Sequence, residues 1–170
     1  LVQPGEWVSI VGPSGTGKST IAKILCGTEH PDGGTLAWNG TPLYDGKGRY
    51  APKMHRCIQL VPQQPYASLD PLQCAQDAVA EPLCAHRLVK NTRQARERAR
   101  ELLLSVGLEE ELLHRRPGEL SGGQAQPVAI ARAIVDDPGI ILADEPMSAI
   151  DVAARIQILD TFAAIRAATS

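Results

Sequence analysis

The chain is poor in the features that would direct it to a bilayer, an oxidising compartment or a nucleic acid. Its 170 residues contain no apolar run approaching the roughly 18 needed to span a membrane. The opening LVQPGEWVSIVG shows neither the charged head nor the small-residue cleavage site of a signal peptide. Cys26, Cys57, Cys74 and Cys84 are scattered, with no C-x-x-C pair, so they make a poor zinc site and a poor disulfide framework. They are expected to be structural thiols of a reduced, cytosolic chain. The formal net charge of -2 lacks the basic excess of a nucleic-acid binder. No internal repeat or low-complexity tract interrupts the chain. What remains, 44% hydrophobic and 21% charged residues, suits one soluble globular domain with a real core.

Local patterns give a coarse map. Trp7–Val11 (WVSIV) is a short apolar run and predicts a strand. Ile21, Ile24 and Leu25 repeat at helical spacing, and Gly27 is placed to end that helix. TLAWNGTPLY reads as a hairpin turning at Asn39-Gly40. Residues 45–56 are polar, a loop or helix start, and CIQLV (57–61) is a strand stopped by Pro62. From about Pro71 helix formers and charges dominate. Within 92–107, Ala95, Ala99, Leu102 and Val106 share one helical face. Arg93, Arg96 and Arg100 lie elsewhere on that helix and are read as a solvated surface rather than a nucleic-acid face. A further helix runs through Val135. IILA (140–143), apolar on both faces, predicts a buried parallel strand. Asp151 is placed to cap a last helix with Val152, Ile156, Leu159 and Ala163 facing inward. Strands and helices alternate at both ends around a mostly helical insert. The expected fold class is therefore α/β, a mostly parallel sheet with a small antiparallel β element and a helical subdomain insert. The expected division is a core of 1–70 and 139–170 and an insert of about 71–138.

Two motifs carry chemistry. Gly12-Pro13-Ser14-Gly15-Thr16-Gly17-Lys18-Ser19, followed by Thr20, fits G-x-x-x-x-G-K-[ST] at every fixed position, between a predicted strand and a predicted helix. Glycines let the backbone curl so that N–H groups point at phosphate oxygens. Lys18 is expected to reach the β- and γ-phosphates, and the Ser19 hydroxyl to ligate Mg²⁺. The second motif, IILADEP, sets Asp144 and Glu145 at the C-terminal end of a strand, where parallel sheets bind ligands. Asp144 suits Mg²⁺, and Glu145, one residue on, suits the water that attacks the γ-phosphate.

Between them lies LSGGQAQP (120–127), where Ser121 is a candidate N-cap and Gly122 and Gly123 leave bare backbone at a helix N-terminus. In the order GPSGTGKST, Gln63 in VPQQP, LSGGQ, IILADEP and SAID (148–151), the chain resembles the nucleotide-binding subunits of ATP-binding-cassette (ABC) transporters. The resemblance covers nearly the whole chain, and LSGGQ in that order is highly specific. It implies a P-loop NTPase core binding ATP and Mg²⁺. Two domains would assemble head to tail, as a homodimer or heterodimer, with Leu120, Ser121, Gly122, Gly123 and Gln124 of one facing the γ-phosphate held by the other. Gln63 would sense Mg²⁺ and the attacking water and couple to transmembrane permease subunits, and Asp151 would lie at the dimer seam. Glu145 would be the base, with Lys18 and the partner's Ser121 stabilising charge. The subunit would sit on the cytoplasmic face of the inner (plasma) membrane. QQPYASLDP (63–71) further resembles the subgroup serving oligopeptide, dipeptide or nickel importers.

The sequence also departs from the family pattern. Ala125 and Pro127 stand where basic residues usually follow the signature, and Pro62 replaces an aromatic residue before the glutamine. A proline at the sixth helical position removes a bond to the Gly123 carbonyl and crowds it, at about 3 kcal/mol in a regular helix interior. A late start or kink, and slower turnover with ATP binding intact, are the expectations. His30, His55, His86 and His114 all precede Glu145, so none matches the family's switch histidine. Trp7 is not the adenine-stacking aromatic of the family. The sequence is therefore expected to be a fragment of an ATPase domain.

The alternative reading is an ABC-type ATPase of DNA repair or chromosome maintenance. Those carry long coiled-coil or zinc insertions between glutamine and signature, whereas about 55 residues intervene here, without heptads or Cys pairs. Another is a binding-only, inactive fragment. A simple P-loop kinase leaves LSGGQ and SAID without a purpose.

Overall fold

The computed structural model describes residues 2–3, 5–146 and 156. Helix α1 spans Lys18–Cys26. It ends at Gly27, whose φ of 77° is the left-handed conformation a helix stop requires. A side chain there is excluded for a second reason, since an added Cβ would lie 2.4 Å from the Tyr50 ring. The last carbonyls of α1 are met from across the chain: the Tyr50 hydroxyl donates to Leu25 O at 2.8 Å, and the Tyr44 hydroxyl donates to Ile24 O. Two tyrosines thus satisfy acceptors that a helix end leaves open.

Those tyrosines follow a hairpin of β1 (Ala37–Trp38) and β2 (Thr41–Pro42), paired antiparallel with Trp38 opposite Thr41. Asn39 and Gly40 turn it with φ of 46° and 75°, as a two-residue hairpin whose twist matches its strands demands. Trp38 packs so closely over Gly139 that a Cβ on that glycine would lie 2.4 Å from the indole. The hairpin is thereby seated at the start of a distant strand.

Helix α2 (Met54–Cys57) leads into β3 (Ile58–Val61), and β4 (Ile140–Ala143) pairs with β3 in parallel, Ile58 opposite Ile140 and Val61 opposite Ala143. Cys26, Leu43, Met54 and Ile58 are buried at the centre of this half. Burial pushes the Cys26 thiol up to about 11, which leaves it a neutral packing group at neutral pH. All four cysteines are free.

The helical half contains α3 (Ala75–Ala85), α4 (Thr92–Ser105) and α5 (Gly122–Ile134). The first amides of α3 find acceptors outside the helix, Ala75 N–H on Arg115 O at 2.9 Å and Gln76 N–H on Leu113 O at 3.0 Å. Asn91 caps α4 by accepting from the Gln94 amide at 2.9 Å. Leu83, Leu103 and Val128 are wholly excluded from water where the three helices meet. Three of the four arginines of α4 are paired: Arg93 with Glu97, Arg96 with Asp77, and Arg100 with Glu110.

Several expectations change. Trp7–Val11 belongs to neither ladder among the described residues, and Val8 and Ile10 remain more than half exposed. An apolar run becomes a strand only beside a neighbour, and no described strand takes that place. The strand at 140–143 is parallel as expected but only half-buried, with Ala143 exposed. Of the two strands, β3 is the one against which α1 and α5 pack, leaving β4 less covered. On α4 the buried set is Ala95, Ala99 and Leu103, with Val106 just beyond, while Leu102 sits at the edge. The late start expected of α5 does not occur, because it begins at Gly122 and runs unbroken past Pro127. Ile156 is helical but 57% exposed rather than inward. The rest of that expected last helix, with Asp151, lies outside the described residues. Among the described residues, no helix is long and apolar enough to cross a membrane.

Candidate nucleotide site

The glycine-rich segment curls because Gly15 and Gly17 take φ of 83° and 91°, a region open chiefly to glycine. Nothing lies within 4 Å of where a Cβ would stand on either. This is open space in front of bare backbone, at the N-terminus of α1, whose first turn carries no acidic residue. The helix dipole and unsatisfied amides there favour an anion. Thr16 Oγ1 donates to Pro13 O at 2.9 Å and stiffens the loop. The Lys18 ammonium folds over it, donating to Gly12 O and Pro13 O, each at 2.8 Å. Those carbonyls hold a cation beside the cradle, within reach of a phosphate that competes for it. Pro13, Ser14 and Thr20 are exposed around it.

The parallel ladder brings the second motif to the same place. The Asp144 amide donates to Val61 O at 3.0 Å, continuing the register beyond β4. Ser19 Oγ then donates to Asp144 Oδ1 at 3.0 Å, across 125 positions of sequence. A hydroxyl and a carboxylate are hard oxygen donors, suited to Mg²⁺, which keeps several waters and binds through few protein ligands plus phosphate. No cluster of three or more His, Cys, Asp or Glu side chains that could hold a metal exists among the described residues. The site therefore fits a cation that substrate oxygens complete.

Glu145 has φ of 45°, left-handed for a residue with a side chain. Such backbone costs about 1–3 kcal/mol and concentrates at functional sites. Here it separates the two carboxylates: Asp144 meets Ser19, while Glu145 Oε2 accepts from Gln63 Nε2 at 3.3 Å. Gln63 stands just past β3, so the parallel pairing of β3 with β4 sets this contact too.

The signature segment forms a different construction. The Ser121 side chain accepts from the Gln124 amide at 3.3 Å, and Gln124 Oε1 accepts from the Ser121 amide at 3.0 Å. This reciprocal box secures the first turn of α5 and explains why Pro127 does not delay it. Leu120 is buried beneath the turn, and Gly122 faces open space. Just upstream the Arg116 amide donates to Glu119 Oε2 at 2.8 Å. That bond holds the Glu119 carboxyl below the usual carboxylate range, with Arg115 adding to it.

The structure thus brings Lys18, Ser19, Asp144, Glu145 and Gln63 together and sets Leu120–Gln124 apart on the helical half. Tyr66 lies in the QQPYASLDP run, but the sequence pattern assigns it no contact. Its hydroxyl donates to Leu120 O at 2.9 Å.

A glycine cradle at a helix start, with a serine and an aspartate converging at the end of a parallel strand, defines an α/β P-loop nucleotide-binding fold. The chain belongs to the ABC transporter family, which it matches over residues 1–148. It is 39% identical over 160 residues to the oligopeptide transport ATP-binding protein OppF of Bacillus subtilis, covering 94% of this chain and 52% of that protein. It is 43% identical over 157 residues to the glutathione import ATP-binding protein GsiA of Shigella boydii, covering 92% of this chain and 25% of that one. Among solved structures it is similar to a dimeric post-hydrolysis state of an ATP-binding cassette bound to ADP and Pi. That match has a TM-score of 0.85 and 37% identity, over 98% of this chain and 72% of the other. The chain spans about half or less of the curated relatives it matches.

Proposed function

We propose that this chain is the ATP-binding and ATP-hydrolysing part of a subunit that powers import of a peptide-like or nickel-like solute across a membrane. The observation that carries the reading is the 3.0 Å contact of Ser19 with Asp144 beside the glycine cradle. Residues Gly12–Thr20 bind the phosphates, with Lys18 moving from its carbonyl partners to the β- and γ-phosphates. Ser19, Asp144 and Gln63 would hold Mg²⁺. When bound, that ion neutralises phosphate charge. Glu145 takes the proton of the attacking water, and Gln63, hydrogen-bonded to it, orients the pair.

The fold divides as a core of 1–70 and 139–170 and a helical subdomain of about 71–138. Two clusters of buried residues support this division, one in the core and one in the helical part that reaches back only to Leu69. Leu120–Gln124 is presented to a second cassette, head to tail; that the similar solved cassette is dimeric supports a pairing of cassettes. Asp151 joins the seam. Transmembrane permease subunits complete the machine on the cytoplasmic membrane face, as the importer names of the relatives support.

The test is titration of ATP with and without Mg²⁺ on the wild-type subunit and on Asp144→Asn, followed by phosphate release. Wild type is expected to bind both forms and to hydrolyse ATP only with Mg²⁺, while Asp144→Asn keeps metal-free binding and loses the Mg²⁺ response. Equal Mg²⁺ dependence in the two proteins would sink the assignment of Asp144.

A further inference from the structure

The signature turn has little of its own to hold it in place. Gly122 and Gly123 carry no side chain, and the Ser121–Gln124 box is internal to the turn. Among its outside anchors are the buried Leu120 side chain and the Leu120 carbonyl. That carbonyl lies before the N-cap, so the helix ladder does not use it. The Tyr66 hydroxyl supplies its donor at 2.9 Å, from 54 positions earlier.

Tyr66 lies on a short segment with limited freedom. It belongs to a 3₁₀ turn, Pro65–Ser68, which has a proline at its first position. Pro65 is buried, and the turn closes through Ala67 N–H on Gln64 O at 3.1 Å and Ser68 Oγ on Pro65 O at 2.9 Å. The turn packs against α5. Gln63, two residues before the turn, donates to Glu145. The segment Gln63–Tyr66, whose second half enters the 3₁₀ turn, therefore touches Glu145 at one end and the residue before the signature turn at the other.

We propose that Tyr66 is a positioning residue that ties the signature turn Leu120–Gln124 to the Gln63–Glu145 pair of the same chain. The tie rests on the ATPase reading above for its meaning, but its physical content is the phenol-to-carbonyl bond. Displacement of Gln63 from Glu145 moves the 3₁₀ turn, and the Tyr66 hydroxyl carries that movement to the backbone just before Ser121. The surface a chain offers to a neighbouring nucleotide is thereby made to depend on the state of its own site.

The experiment compares the full-length subunit as wild type, Gln63→Ala, Tyr66→Phe and the double variant. Tyr66→Phe keeps the ring and removes only the donor. Hydrogen exchange of the Gly122–Gln124 amides is followed without nucleotide, alongside ATPase kinetics and melting temperature. Tyr66→Phe is expected to speed exchange there by about three- to tenfold, the range one neutral hydrogen bond supports. Gln63→Ala is expected to speed it in wild type and to add little once the phenol is gone, as coupled neighbours do. The turnover number of Tyr66→Phe falls by a comparable factor at unchanged KM and unchanged melting temperature. Unchanged exchange, or fully additive effects of the two substitutions, overturns the proposal. A raised KM together with a lowered melting temperature also overturns it, since a general packing role then suffices. Non-additive exchange in a wild type that fails to hydrolyse ATP supports the tie while removing the ATPase reading.

Discussion

Leu83, Leu103 and Val128 are completely buried where α3, α4 and α5 meet, whereas Trp7, Val8 and Ile10, which feed the glycine cradle, are each more than half exposed. All six side chains are apolar. The helical half closes its core within one continuous stretch of chain, because each helix satisfies its own backbone and needs a neighbour only for its side chains. The nucleotide half is assembled from segments far apart, and its decisive contact joins residues 19 and 144. An extended run satisfies neither edge by itself. Stability is therefore concentrated in the helices and chemistry in the half built from distant pieces.

The strongest test of this division is Glu145→Gln. Loss of a general base is expected to lower hydrolysis by about 10²–10⁴-fold, with ATP still bound and the closed dimer retained on gel filtration. Unchanged hydrolysis would remove Glu145 from the role.

Next comes a contrast of stabilities. Leu103→Ala is expected to cost about 2–5 kcal/mol in urea unfolding, from lost burial and a residual cavity. Val11→Thr, at a side chain already 90% exposed, is expected to stay within about 0.5 kcal/mol. Comparable losses at the two positions would break the comparison.

Pro127 lies in α5 and borders, with Glu109 and Gly123, a cavity of about 90 Å³. Pro127→Arg returns an amide to the Gly123 carbonyl and places a cation near Glu109. The ATPase rate is expected to rise by less than about tenfold, the equivalent of 1.4 kcal/mol in the barrier. An unchanged rate removes this proline as a brake on turnover.

The smallest effect lies in the pair joining α3 to α4. The Arg96 guanidinium, 2.6 Å from Asp77, holds the Asp77 carboxyl below its usual range. A depressed folded value contributes stability that is present above the ordinary carboxylate pKa of about 4 and is lost as pH falls through the folded value. Arg96 is half exposed, so water screens the pair and Asp77→Asn is expected to cost only about 0.5–1 kcal/mol at pH 7. The difference should vanish in strong acid. A difference that persists there assigns the loss to packing rather than charge.

Much of this was legible because it is local. Gly27 ends its helix, Asn39-Gly40 turns its hairpin and Ser121 caps α5, each through backbone demands met within a few residues. The choice of Leu103 over Leu102 on α4 was not legible, since both lie near the same stripe and only the position of α3 and α5 decides which is covered. The tolerance of Pro127 was hidden as well. A helix-interior penalty applies to a regular ladder, whereas the reciprocal Ser121–Gln124 box secures this first turn independently. The functional residues of the cradle and of IILADEP were readable because phosphate binding requires bare backbone, a lysine and a hydroxyl at fixed spacing. Tyr66 was not, because its partner is a carbonyl, and every residue has one.

The sequence by itself determined the helices and turns, the glycine cradle and the residue types that phosphate and Mg²⁺ require. These depend on dihedral preferences and on spacings of a few residues. The tertiary structure alone decided that Ser19 meets Asp144, that Gln63 meets Glu145, and that Tyr66 reaches the turn before Ser121. Each of those contacts depends on strand pairing and helix packing across 54 to 125 positions, and no local propensity encodes a register between segments that far apart.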